Sequence, residues 1–134
     1  MRFRFGSAGA MVAMSLALAS ATASAQDQIN ATQVTFAKDI MPILQEHCQV
    51  CHRTGTFAPM SLMTYEEARP WARSIRQKVL AREMPPWFID KNVGVQHFNN
   101  DASLTDAQIA LIAKWSDSGA PKGKDSDMPP PRKF

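Results

Sequence analysis

Two cysteines stand three positions apart and a histidine directly follows the second, in Cys48-Gln49-Val50-Cys51-His52. Thiols at this spacing can reach the two vinyl groups of one porphyrin and form thioethers. The adjacent histidine is then held under the iron, where its imidazole is an axial ligand. The pattern reads as covalent attachment of one haem c. Cys48 and Cys51 are the only cysteines in the chain, so none is left for another purpose. Three other chemistries use similar residues. A thioredoxin-like redox dithiol wants a βαβ pattern around the pair, and the sequence has none. A zinc site wants four protein ligands, usually from two clusters, and Cys48, Cys51 and His52 supply three at most. A lone structural disulfide in an exported protein is the remaining alternative.

The sixth position of the iron decides what such a site does. Iron held by His and Met is closed to substrates and moves electrons, whereas an open site binds small ligands or peroxide. The candidates are Met41, Met60, Met63, Met84, Met128, His47 and His97. Met84 precedes two prolines, Pro85 and Pro86. Proline pushes the residue before it toward extended backbone and stiffens the segment, which can then hold a thioether against iron at small entropic cost. Met84 is therefore expected as the second iron ligand, with a methionine buried at a helix end as the plain alternative. Met60 and Met63 lie close after His52 and are expected to line the pocket, Met60 being the next candidate. His97 would give a bis-histidine iron of lower potential. His47 is expected to point away, and Met41 and Met128 belong to a helix and a tail. Trp71, Trp87, Phe57, Phe88 and Tyr65 are candidate pocket walls or plain core.

These residues need elements to carry them. Phe36, Ile40, Ile43 and Leu44 recur at helical spacing, so a helix is expected from about Lys38 into Cys48, with Pro42 in its first turn. Arg53 to Met63 reads as a loop along the haem edge. Thr64 and Glu67 form a capping box, and Pro70 breaks and restarts the helix behind it. Trp71, Ile75 and Val79 then share one face, with Arg69, Arg73, Arg76 and Arg82 mostly on solvated ones. Met84-Pro85-Pro86-Trp87 ends that helix, and 88–101 is irregular. Thr105 and Gln108 form a second capping box. The helix it opens carries Ile109, Ile112, Ala113 and Ser116 on one side with Leu111 and Trp115 beside them, and Gly119 stops it. No stretch alternates as a strand would. The fold class expected is all-α, a small domain of about three to five helices around one haem.

The ends of the chain set its compartment. Arg2 and Arg4, the apolar run Ala10–Ala19 and the cleavage site Ala23-Ser24-Ala25 read as a secretory signal peptide over 1–25. Removing those 25 residues from 134 leaves 109 and lowers the net charge from +3 to +1. Residues 26–34 are expected as a flexible lead-in, 35–120 as the domain, and 121–134 as a poorly ordered Pro/Lys-rich tail. No basic run argues for nucleic acid, no second apolar stretch could span a membrane, and no cysteine sits at the cleavage site for a lipid. A soluble periplasmic product is expected.

The sequence resembles class I cytochromes c over nearly all of the expected mature chain. It is most similar to a bacterial subgroup with the run Phe36 to Leu44, the haem motif, Ala58-Pro59-Met60-Ser61-Leu62, Arg69-Pro70-Trp71-Ala72 and Met84-Pro85-Pro86-Trp87. Its Tyr65–Glu83 region and the loop after Met84 are longer than a compact member needs. The resemblance implies crossed first and last helices, thioethers at Cys48 and Cys51, and iron held by His52 and Met84. It implies an electron carrier that meets a donor and an acceptor redox protein by transient contact, not an enzyme. A peroxidase-like enzyme subunit, or a module that binds small ligands at an open iron, is the alternative.

Overall fold

The computed structural model describes residues 33–86, 92–94 and 98–134, and all contacts below lie within the unit Val34–Phe134. The expected signal peptide, most of the lead-in, and Trp87, Phe88 and His97 fall outside the described residues. Among the described residues every regular element is helical, in keeping with the all-α class.

The first helix opens with a π-helical turn, Phe36–Ile40, that runs straight into α1, Met41–His47. It therefore begins two residues before Lys38, where the sequence places its start. The cause is Asp39, whose carboxylate accepts from the backbone N–H of Thr35 at 2.7 Å and closes the turn early. Pro42, which has no N–H to give, sits at the start of α1, just after the wider turn. Phe36, Ile40 and Leu44 on this helix are fully buried.

Both capping boxes form. Thr64 and Glu67 satisfy each other's backbone N–H groups at the head of α2, Tyr65–Ala68. Thr105 and Gln108 do the same for α4, Asp106–Asp117. Between them, Pro70 lies in a 3₁₀ turn, Arg69–Trp71, from which α3 restarts over Ala72–Leu80. The buried stripe of α3 is Ala72, Ile75 and Val79. That of α4 is Ile109, Ile112 and Trp115. Trp115, not Ala113 or Ser116, completes it, because its large ring fills the space against Phe36 at 5.8 Å between centroids. The two helices pack together, with ion pairs from Arg76 on α3 to Asp117 at 2.9 Å and from Arg82, in the turn that follows α3, to Asp106. These two arginines are thus tied down rather than merely solvated.

Helix α3 ends before the prolines. Glu83 N–H reaches Lys78 O and Arg82 N–H reaches Val79 O, a Schellman closure with Arg82 in the left-handed region at φ 54°. Helix α4 ends the same way through Ala120 to Trp115 and Gly119 to Ser116, with Gly119 at φ 88°.

Two segments expected to be loose are packed. Val34, placed in the lead-in, is buried in the core. The segment after Pro121 lies along the first helix. Phe36 N–H donates to Pro121 O and Ala37 N–H to Lys122 O, both at 2.9 Å. The first N–H groups of a helix have no partner within it, so these carbonyls meet a standing demand. Trp115 Nε1 also donates to Pro121 O, and Tyr65 Oη to Ala120 O. The expectation of disorder came from composition alone, which does not register such acceptors.

Candidate functional site

Helix α1 delivers Cys48 as its C-terminal cap. Cys51 and His52 follow in a turn whose N–H groups both donate to Cys48 O. Cys48, Cys51 and His52 line one side of a cavity of about 380 Å³, inside the range of cofactor pockets, about 300–1,000 Å³. The loop contributes Phe57, Ala58, Pro59, Met60 and Leu62 to it. The 3₁₀ turn contributes Trp71, helix α3 contributes Ile75 and Val79, and the segment behind α3 contributes Met84, Pro85 and Pro86. The wall is almost wholly apolar. Phe57 is 80 % exposed and Met84 39 %, so the cavity faces solvent on one side.

His52 is oriented by its own loop. Its Nδ1 lies 3.2 Å from Met60 O. A carbonyl can only accept, so Nδ1 carries the proton and Nε2 keeps the lone pair that a metal needs. Leu62 N–H donates to His52 O at 3.0 Å and folds the loop back onto the motif. Arg53 holds the motif's other side, donating to Gln49 O at 3.1 Å and to Val50 O.

The candidate second ligands separate. Met84 and Met60 line the cavity with His52. Met41, Met63 and Met128 line a different cavity behind the motif, and Tyr65 belongs there too, against Phe36 rather than on the wall beside His52. Met60 lends its carbonyl to His52, which ties its backbone to the histidine's side. Met84 comes from a separate segment after α3.

His47 does not point away. It lies on the rim of the same cavity. Its Nδ1 donates to Ala102 O at 3.2 Å. Gln108 spends its Oε1 on Thr105 N–H, so its Nε2 is the donor that meets His47 Nε2 at 3.1 Å. The Glu46 carboxylate lies 3.3 Å from the same nitrogen. Both ring nitrogens are engaged, and His47 is held as a brace between α1 and α4. Its partners are 55 and 61 residues away in sequence, which is why spacing could not find them.

The thiols bear on the alternatives. Cys48 and Cys51 are both free thiols. Burial, with Cys51 beside it, pushes the Cys48 thiol up from 9.0 to about 12. A redox dithiol works as a thiolate with a depressed pKa, so this environment opposes that use. Among the described residues no group of three or more His, Cys, Asp or Glu could hold a metal ion. No helix among them is long and apolar enough to cross a membrane. Compared with protein-family models, with curated proteins and with solved structures, the chain matches none.

Proposed function

We propose that this chain is an exported, monohaem c-type cytochrome of the class I kind, which carries single electrons between redox proteins. One observation carries the reading: two thiols, an imidazole with its Nε2 lone pair free, and a pre-proline methionine converge on one apolar cavity. The donor set fits the group. Cys48 and Cys51 would supply the thioethers, His52 Nε2 and Met84 Sδ the axial ligands, and the apolar wall the packing for the porphyrin faces. The bound group would supply one-electron Fe(III)/Fe(II) exchange, with thioether ligation raising its potential.

The remaining work belongs to the protein. Met60 O fixes the His52 ring and makes it a more electron-rich ligand. Ile75 and Val79, both buried, exclude water from the interior side. The solvent-facing side beside Phe57 leaves an edge for outer-sphere transfer, which forms and breaks no bonds. Contacts of that kind are small and transient. A peroxidase-like site would need a free acid–base group opposite His52. The titratable groups on the described wall are otherwise His47, engaged at both nitrogens, and Lys78, paired with Glu83.

Cyanide tests the choice. Oxidised haem-loaded protein with both axial ligands in place should bind cyanide slowly and turn over peroxide poorly. Rapid binding and turnover would instead assign it to the open-iron class.

A further inference from the structure

Gln49 fills a position that the Cys-x-x-Cys-His pattern leaves free. It is nonetheless 1 % exposed, the one polar side chain buried among the described residues. A buried amide is costly unless its groups are bonded. Its Nε2 donates to Leu62 O at 2.9 Å and to Met41 Sδ at 3.4 Å. Its Oε1 has no protein partner. The position thus uses the donors and not the acceptor.

Leu62 is where the loop returns to the motif. Its N–H donates to His52 O at 3.0 Å, and two residues earlier Met60 O accepts from His52 Nδ1 at 3.2 Å. The segment 60–62 is therefore pinned at three points, twice by His52 and once by Gln49. Only the Gln49 contact comes from outside the pair it steadies.

We infer that Gln49 is a positioning residue for His52: its amide fixes segment 60–62 and, through the Met60 carbonyl, the orientation and donor strength of the imidazole. The consequence for iron rests on the haem reading. The contact itself does not. A histidine whose Nδ1–H bond is strong is a more electron-rich ligand and favours the ferric state. Loosening the Met60 carbonyl weakens that bond and favours the ferrous state.

The test is Gln49→Met in the haem-loaded protein, which keeps the length and removes both donors. Two signals are read: the midpoint potential, and solvent exchange of the His52 Nδ1–H by NMR of the reduced, diamagnetic protein. The inference expects an upward shift of the potential and faster Nδ1–H exchange than in the parent. A coloured variant with both unmoved overturns it, even if the variant melts at lower temperature, because a merely structural amide would cost stability alone. Where the variant does not fold, the parent protein decides. The Gln49 side-chain amide protons and the Leu62 N–H should exchange slowly, and free exchange of the Gln49 amide overturns the inference. A colourless parent defeats the haem reading separately, and the Nδ1–H signal reads the same contact there.

Discussion

The sulfur proposed as the iron's second ligand can be tested one side chain at a time. Met84→Ala should open the sixth position and lower the potential, while Met60→Ala, which keeps its backbone carbonyl on His52, should leave both nearly unchanged. The reverse pattern in carbon monoxide binding and redox titration would name Met60. Cys48 offers a second test, on the free thiol of the folded chain. A folded thiol that holds its proton to about 12 instead of 9.0 should alkylate more slowly near pH 9 than the same thiol in urea. Stability follows with the same sign. Above pH 9 the unfolded chain has lost a proton that the folded one keeps, so folding weakens as pH rises toward 12. Equal alkylation rates in the two states would contradict this environment. At this scale the sequence was legible in which residues meet: Cys48, Cys51, His52 and Met84 line one cavity. Gln49 and His47 were not, since their roles lie in partners 13 and 61 positions distant, and no local pattern records those.

Elements were legible where a capping box or a glycine marks the boundary and less so elsewhere. A capping box is a four-residue signal, and both were found where Thr64–Glu67 and Thr105–Gln108 stand. Thr64→Ala should cost about 1 kcal/mol in chemical denaturation, with no loss arguing that Glu67 alone sustains the turn. The end of α3 was misplaced at Met84 because a Schellman closure usually announces itself by glycine, and here the residue is Arg82. Arg82→Gly should relieve backbone strain of roughly 1 kcal/mol. It also gives up an exposed ion pair to Asp106, worth about 0–1 kcal/mol. The net expected change in melting temperature is therefore near zero. A large loss would show that the arginine side chain, not the turn, holds the element. The early start of the first helix had a readable cause in Asp39, but proline at position 42 argued more loudly for a later one.

For the molecule as a whole, the segment after α4 is part of the domain. Its carbonyls serve the free N–H groups of Phe36 and Ala37, and Trp115 is locked to the same strand of chain. Farther along, Arg132 donates to the last-turn carbonyls of α1, at Gln45 and Glu46. Gly123 lets the segment come this close. A Cβ there would stand 2.7 Å from Thr35 Cβ and Oγ1, at a φ of 83°. Gly123→Ala should therefore destabilise by about 1–3 kcal/mol, read as a lower melting temperature. An unchanged melt would mean the segment is not held as described. Composition could not reveal this docking, because Pro, Lys and Asp mark solvated chain whether or not its carbonyls find donors. The helical class, by contrast, followed from periodicity that survives any change of partner. All of this serves one claim, that a haem is bound through both cysteines and held by His52 and Met84. The most direct measurement is the optical spectrum of the matured, exported protein, oxidised and reduced, taken with a count of its free thiols. The account predicts a c-type spectrum with a methionine–iron band in the oxidised form and no titratable thiol. A colourless protein, or one with two free thiols, would contradict it.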